Sequence, residues 1–350
     1  MICTLTWVLG TAQNYQSAES VEYDEVNDRW LVANGSNIIA DDGQGNLSFF
    51  GSGTASHGME IMGNTLFAIG SNIIRGYDLD SGDQVMSLSI SGVSFLNGMA
   101  SDGVDQLFVT DFSQGRIHQV DVSDLSNPTS TEIVANAGPS PNGILYDGAN
   151  DRLLFVSFTT NAKIRQVDLS DNSVTDIVSN TGLTNIDGIV YSAVQDQYFV
   201  SSWSPAQITR YNSDFSTSSV VDSPTLNSPA DIGIDDTNGV VGIPMGNDVI
   251  FLSVTESMSV ETFSLESIQF SISENPVNAS SQISFYLQQP TAVVINIYSL
   301  DGKRVGELFA QESASGLHQC TFGDFQRASG MYVLQMSVDN QLLSKKIMVK

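Results

Sequence analysis

Short apolar stretches alternate with polar turns along the first 254 residues of the chain. Runs such as LFVTD, LLFVS and YFVSS are each followed by a short loop and a second strand-like run, as in RIHQVDVSD and KIRQVDLSD. A polar turn and a β-branched run such as STEIVANAG then complete the unit. Four to eight residues rich in Val, Ile, Thr and aromatics between turn signals are typical of β-strands. The pattern therefore predicts short antiparallel strands throughout.

This unit recurs six times, and each copy begins with a similar phrase. The phrases contain SAESVEYDEVNDRWLVAN, SHGMEIMGNTLFAIG, LNGMASDGVDQLFVTD, PNGILYDGANDRLLFVS, IDGIVYSAVQDQYFVSS and ADIGIDDTNGVVGIP. Equivalent positions are Glu19, His57, Asn97, Asn142, Asp187 and Ala230, with spacings of 38, 40, 45, 45 and 43 residues. Repeats of about 40 to 45 residues are typical of propeller blades with four strands each. We call these six positions the mouth ring.

The predicted architecture is an all-β six-bladed propeller, because closing six blades in a ring leaves no long exposed sheet edge. The sixth copy provides three strands, ending near DVIFLSV. We interpret Thr4–Leu9 as the fourth, closing strand of this blade. The alternative is that the opening segment MICTLTWVLGTAQN is the end of a signal peptide, although it lacks a positive first region.

A composition change separates the predicted propeller, residues 1–262, from a small C-terminal β-sandwich, residues 266–350. Met1–Val254 contains 30 Asp and Glu against 7 Lys and Arg, whereas Thr255–Lys350 contains 9 against 6. Strands of the second segment alternate more clearly and are separated by turn signals such as LDGK and VDNQ, as in a sandwich.

The net charge of −26 argues against nucleic acid as a partner, because phosphates would be repelled. No apolar run reaches the roughly 18 to 20 residues of a membrane-spanning helix, so no membrane span is predicted.

In a propeller, the starts of the inner strands surround one end of the central channel, so the mouth ring would converge there. Glu19, Asn97, Asn142 and Asp187 would together offer two carboxylates and two amide oxygens, which are ligands that Ca²⁺ prefers. Each of these residues alone has an ordinary explanation: Asn-Gly and Asp-Gly are turn pairs, and Glu19 could be a surface charge. The variation between blades favours a site, with Ca²⁺ or another divalent cation as its cofactor.

The C-terminal segment resembles the C-terminal sorting domain of type IX secretion in Bacteroidetes-like bacteria. The resemblance rests on Asn275-Pro276, Asp301-Gly302, Ser329-Gly330-Met331-Tyr332 and the final KKIMVK. It implies a protein that is secreted or held at the cell surface of a Gram-negative bacterium, with the secretion machinery as a partner.

Most of residues 1–254 resembles the six-bladed calcium-dependent hydrolases of the gluconolactonase/regucalcin and paraoxonase/arylesterase families. The family's metal-binding Glu, Asn and Asp motifs correspond to Glu19, Asn142 and Asp187, and a further Asn corresponds to Asn97. SHGMEI is similar to the paraoxonase His-Gly motif, which implies His57 as a base. The second histidine of the paraoxonase dyad has no counterpart, and Gly188 stands where that family has Asn.

The resemblance implies hydrolysis of a small-molecule lactone or aryl ester, in which Ca²⁺ polarises the carbonyl and Asp187 or His57 takes a proton from water. Glycines beside the mouth ring, Gly58, Gly98, Gly143 and Gly188, would allow a ligand to approach the backbone. Phe112, Phe158 and Trp203 would lie at the entrance, either as substrate contacts or as packing between blades. The alternative function is a non-enzymatic secreted propeller that binds glycan or protein and uses the metal structurally.

Overall fold

The computed structural model describes residues 13–254, 270–287, 289–300, 302–323, 328–338 and 341–349. Within these ranges the chain is entirely β, and it contains no helix that could cross a membrane. The chain divides into two compact units, Met1–Thr255 and Glu256–Lys350. The predicted junction between residues 262 and 266 lies outside the described residues, so these boundaries stay a prediction.

The first unit contains six antiparallel sheets in which the strands pair in sequence order. The first three blades are β1 (Ala18–Asp24), β2 (Arg29–Asn34), β3 (Ile38–Asp41) and β4 (Leu47–Phe49); β5 (Met59–Met62), β6 (Thr65–Gly70), β7 (Ile73–Asp78) and β8 (Gln84–Ser89); β9 (Leu96–Ser101), β10 (Gln106–Asp111), β11 (Arg116–Asp121) and β12 (Thr129–Val134). The other three are β13 (Pro141–Asp147), β14 (Arg152–Ser157), β15 (Ile164–Asp168) and β16 (Ser173–Val178); β17 (Thr184–Ser192), β18 (Gln197–Ser204), β19 (Ala206–Asn212) and β20 (Ser218–Val220); β21 (Gly233–Asp235), β22 (Val240–Pro244) and β23 (Val249–Ser253). The predicted six-bladed propeller is confirmed.

Blades one and six are joined by backbone hydrogen bonds near the start of β1. The amide of Asp231 donates to the carbonyl of Glu19 at 2.9 Å, and Ala18 and Gly246 exchange two hydrogen bonds of 2.6 and 3.0 Å. The described part of blade six has three strands. The predicted closing strand Thr4–Leu9 lies outside the described residues.

The hydrophobic core lies between neighbouring blades. The second strand of each blade is buried on both faces, which explains its continuous apolar sequence: Leu153, Leu154, Phe155 and Val156 are fully buried. Leu154 and Val156 of blade four pack with Val200 and other residues of blade five, and equivalent clusters fill the other joints. Because the apolar side chains of these clusters are buried between the blades, other side chains line the central channel.

Glycines beside the mouth ring allow adjacent blades to approach each other. A Cβ atom at Gly98 would lie 2.4 Å from the backbone oxygen of Asn142, and one at Gly143 would lie 2.6 Å from that of Asp187. Gly58 is in the same position, and its amide donates to the oxygen of Asn97 at 2.8 Å. That these glycines serve ligand approach stays a prediction. The structure gives them another role: they allow backbone to pack on backbone, and they thereby fix the mouth ring residues of successive blades.

The second unit is a β-sandwich, as predicted. One sheet consists of β24 (Ser271–Ile272), β25 (Gln282–Leu287) and β28 (Gly316–Thr321), and the other of β27 (Arg304–Ser313), β26 (Thr291–Ser299), β29 (Gly330–Val338) and β30 (Gln341–Val349). Alternate residues of both sheets, including Phe285, Ile295 and Leu334, share one buried core.

Candidate functional site

Five polar members of the mouth ring lie just before an inner strand or within its first four residues. Asn97, Asn142 and Asp187 are 5%, 2% and 2% exposed, and Glu19 and His57 are half-buried. Burial of this many polar side chains costs free energy unless they find partners. The hydrogen-bond partners of these side chains therefore indicate which kind of ligand the mouth could bind.

Asn142 and Asp187 are in direct contact across the joint between blades four and five. The amide nitrogen Nδ2 of Asn142 donates to Oδ1 of Asp187 at 3.1 Å. Oδ1 of Asn142 is buried and accepts no hydrogen bond within the described part of the chain. A buried amide oxygen without a partner loses its hydration without compensation, so this atom is suited to a cation or a ligand donor.

Carboxylates at the mouth raise one another's pKa. Burial raises the pKa of Asp187 well above its usual range, and the nearby Glu19 and Asp231 add to the shift. Hydrogen bonds from the side chains of Asn142 and Trp203 act in the opposite direction on this group. Burial and then Asp231 raise the pKa of Glu19 to about 7. The site thus holds protons at neutral pH that a bound cation would displace.

His57 stays neutral at neutral pH, because burial lowers its pKa to about 4. The hydroxyl of Ser56 lies 2.8 Å from its Nδ1, and Phe95 packs edge-on against its ring.

Asp231 is a member of this site that sequence reasoning missed. It follows Ala230, the predicted member of the mouth ring, and occupies the place that Gly188 has in blade five. Its Oδ2 accepts a hydrogen bond from the Ser20 hydroxyl at 3.0 Å, and burial raises its pKa to about 7. An aspartate where four blades have glycine is the signal that could have identified it.

Two further carboxylates lie along the channel beyond the mouth, Glu22 of blade one and Glu60 of blade two. With Asp231 they line a cavity of about 160 Å³ to which the inner segments of all six blades contribute. Burial raises the pKa of Glu60 to about 8 although the Ser101 hydroxyl donates to its Oε1 at 2.7 Å. The pKa of Glu22 is also raised well above its usual range, mainly by burial and next by the nearby Glu60 carboxylate.

The channel therefore has two unlike sides. Blades six, one and two, which are neighbours in the ring, supply the carboxylates of Asp231, Glu22 and Glu60, whereas blades three to five supply mainly apolar groups such as Met99 and Ile144.

Five rings form a continuous series around the mouth from blade two to blade five. Neighbouring centroids are separated by 4.6 Å for His57 and Phe95, 5.5 Å for Phe95 and Phe112, 5.9 Å for Phe112 and Phe158, and 4.8 Å for Phe158 and Trp203. We call this series the aromatic arc. Its members pack on one another between blades, and Trp203 is 39% exposed at the end of the arc. Sequence reasoning identified Phe112, Phe158 and Trp203 but missed Phe95.

The donors available for a metal are of mixed type. In the described ranges, no three His, Cys, Asp or Glu side chains form a group that could hold a metal ion. The predicted set of Glu19, Asn97, Asn142 and Asp187 relies on two amides as well as two carboxylates. The buried Asn142 oxygen, which no described residue donates to, fits such a set, since Ca²⁺ accepts neutral amide oxygens beside carboxylates.

Comparison with known proteins confirms the C-terminal prediction. Residues 274–350 match the family model of the secretion system C-terminal sorting domain. The segment is thus a type IX sorting domain, which points to a secreted or cell-surface protein of Bacteroidetes-type bacteria and to interaction with the secretion machinery.

Solved structures support the propeller fold at low sequence identity. A chain of a nidogen/laminin complex is similar with a TM-score of 0.55 and 15% identity over 64% of this chain and 89% of that chain. A Bacteroides thetaiotaomicron protein of unknown function is similar with a TM-score of 0.54 and 11% identity, over 68% of this chain and 71% of that chain. The propeller domain of Myceliophthora thermophila Swd1 is similar with a TM-score of 0.51 and 11% identity, over 71% of this chain and 100% of that chain. No curated protein matches the chain. The resemblance to gluconolactonases and paraoxonases is not confirmed.

Proposed function

We propose that the protein is a secreted hydrolase of lactones or aryl esters that uses Ca²⁺, or another divalent cation, at the channel mouth. The observation that carries the proposal is the buried Oδ1 of Asn142, which has no hydrogen-bond partner in the described ranges and lies near Asp187 and Glu19. An acceptor atom and two carboxyl groups share this small buried region, and a cation would satisfy the amide oxygen and remove the repulsion between the carboxylates.

Glu19, Asn97, Asn142 and Asp187 would hold the cation. When bound, it would polarise the substrate carbonyl and stabilise negative charge on its oxygen. The hydrogen bond between Asn142 and Asp187 orients both side chains. This contact reduces the reorganisation that substrate binding would require.

Asp187 is a better candidate than His57 for the group that takes a proton from water. A base with a pKa of about 4, such as His57, has little affinity for a proton at neutral pH. Asp187 has more affinity for a proton, because burial and the nearby Glu19 and Asp231 raise its pKa well above the usual range, and it lies at the mouth beside Trp203. In this proposal His57 shapes the entrance through its contact with Phe95.

The aromatic arc favours a second candidate, a binding module for glycans. Half-exposed aromatic rings in series offer flat apolar surfaces for sugar rings, and Trp203 is exposed at one end. In that case the cation would be structural and no substrate would be turned over.

Two measurements distinguish the hydrolase from the binding module. One is calorimetry with Ca²⁺, and the other is an assay for hydrolysis of aldonolactones, acyl-homoserine lactones and phenyl acetate. The hydrolase requires both a calcium site and a rate that chelator lowers by about a thousandfold, equivalent to several kcal/mol of transition-state stabilisation. Asp187→Asn should lower calcium affinity and activity together, and the exposed Asp80→Asn should change neither. Calcium binding without turnover would favour the binding module, and absence of both would refute the proposed metal site.

A further inference from the structure

A second cavity, of about 720 Å³, lies between blades three and four. The connection from β12 to β13 and the connection from β14 to β15 form its walls. Its lining includes Asn136, Pro139, Ser157, Thr159, Lys163 and Arg165.

This cavity is adjacent to the mouth through the backbone. Ser157 and Thr159, which line it, flank Phe158 of the aromatic arc. Pro141 pairs with Ser157, and the Phe158 amide donates to the Ser140 carbonyl at 2.9 Å. Asn142 follows Pro141 directly, so the same two segments form one wall of the cavity and carry Asn142 and Phe158.

The cavity has an unusual charge for this protein. Residues 1–254 contain only seven Lys and Arg against 30 Asp and Glu, yet two of the seven, Lys163 and Arg165, line this cavity. Arg29, Arg116 and Arg152 each pair with a carboxylate of their own. Lys163 and Arg165 instead share Asp176, at 2.6 and 2.9 Å. Two cations with one carboxylate leave an excess of one positive charge.

The two cations are held differently. Arg165 also donates to the carbonyl of Ala137 at 2.5 Å and stacks over the ring of Phe155 at 5.7 Å, so its guanidinium is fixed in the wall. The Lys163 side chain is 43% exposed and remains accessible. Hydroxyl groups of Ser157 and Thr159 add neutral donors beside it.

We propose that this cavity is an anion subsite that binds the carboxylate of the ligand entering the mouth. A single excess charge matches a monoanion, whereas a phosphate dianion would keep one charge uncompensated and would be repelled more strongly by the negative field of the protein. With the carboxylate near Lys163, an attached ring would lie toward Phe158, and the reacting group toward Asn142 and Asp187. The substrate class is thus an aromatic ester or lactone that carries a carboxylate. The reacting part of this inference rests on the proposed function, whereas anion binding does not.

Binding is tested by calorimetry at low ionic strength with 4-hydroxybenzoate and its neutral counterpart 4-hydroxybenzyl alcohol, using the full chain. We expect the benzoate to bind about three- to tenfold more tightly, as an accessible charge pair provides. Lys163→Gln should abolish this preference and Lys163→Arg should keep it. Arg116→Gln, which removes the same charge from outside the cavity, should preserve it. The proposed subsite would be overturned if the two ligands bound equally or if the benzoate did not bind. It would also be overturned if Lys163→Gln and Arg116→Gln lost benzoate affinity to the same extent.

Hydrolysis separates this inference from the proposed function. The ratio of kcat/KM for 4-acetoxybenzoate to that for phenyl acetate should fall about three- to tenfold in Lys163→Gln. Charge-dependent benzoate binding without hydrolysis of any ester would support the subsite and refute the hydrolase. Hydrolysis with an unchanged ratio in Lys163→Gln would refute the subsite and support the hydrolase.

Discussion

The Asn142 side-chain nitrogen lies 3.1 Å from the Asp187 carboxylate, across the joint between blades four and five. This contact leaves the amide oxygen of Asn142 buried and without a partner among the described residues. One blade thereby positions the carboxylate of the next, and the stability of the propeller and the proposed chemistry of its mouth depend on the same joint.

Replacement of Asn142 by Ala should remove most of the stabilisation that calcium gives. A ligand at about 100 times its Kd stabilises the native state by about 2.7 kcal/mol, and we expect at least half of this to be lost. Denaturant unfolding with calcium and with chelator measures the effect. The exposed Asn46→Ala is the control, and a full calcium effect in Asn142→Ala would contradict the proposed site.

The carboxyl group of Glu60 should make the protein less stable as the pH rises. Its pKa is about 8 in the folded protein and about 4.5 in the unfolded chain. Its favourable contribution is therefore complete below pH 4.5 and is lost as the pH rises through 8. Glu60→Gln should recover on the order of 3 kcal/mol of this loss at pH 8 in chelator. The exposed Glu25→Gln should leave the pH dependence unchanged, and identical profiles for the two variants would exclude Glu60 as the cause.

The substitution Gly98→Ala should destabilise the propeller by at least about 2 kcal/mol, because the new methyl group would meet the backbone of Asn142. Backbone atoms cannot rotate away from it as a side chain could. Gly330→Ala, where the nearest atom is 3.9 Å away, is the matched control for a glycine in a strand. Chemical denaturation followed by circular dichroism should show a lower midpoint for Gly98→Ala alone. Unchanged stability would mean that the joints are looser than described.

His57→Gln should leave the pH profile of hydrolysis unchanged between pH 6 and 8. With a pKa of about 4, His57 does not titrate in this range, and Gln keeps a polar group beside Phe95. We expect less than a tenfold loss of kcat/KM. Loss of a rising limb near neutral pH would instead identify His57 as the base.

The repeat made much of the fold predictable. Six phrases with similar spacing fixed the blades and their order, and the polar residue before each glycine identified Asn97, Asn142 and Asp187 as equivalent. The role of the glycines was not predictable, because the atoms they meet belong to another blade. Gly98 shows this: the atom nearest to a Cβ added at this position is the backbone oxygen of Asn142, which is 44 positions away in the sequence.

Glu22 and Glu60 escaped prediction for a related reason. Alternation along a strand shows which side chains face inward. How close two such side chains lie across the channel depends on how the six blades are arranged around it. Phe95 was missed because it precedes its strand and its ring contacts are with His57 and Phe112. Each of these residues gains its significance from a neighbour in another part of the chain.

The two unlike sides of the channel, together with the aromatic arc, have a stereochemical consequence. The carboxylates of blades six, one and two, the rings of the aromatic arc and the proposed anion subsite at Lys163 would provide three different contacts at different positions. Three such contacts distinguish enantiomers, so a chiral lactone bound at this mouth should be selected by its handedness.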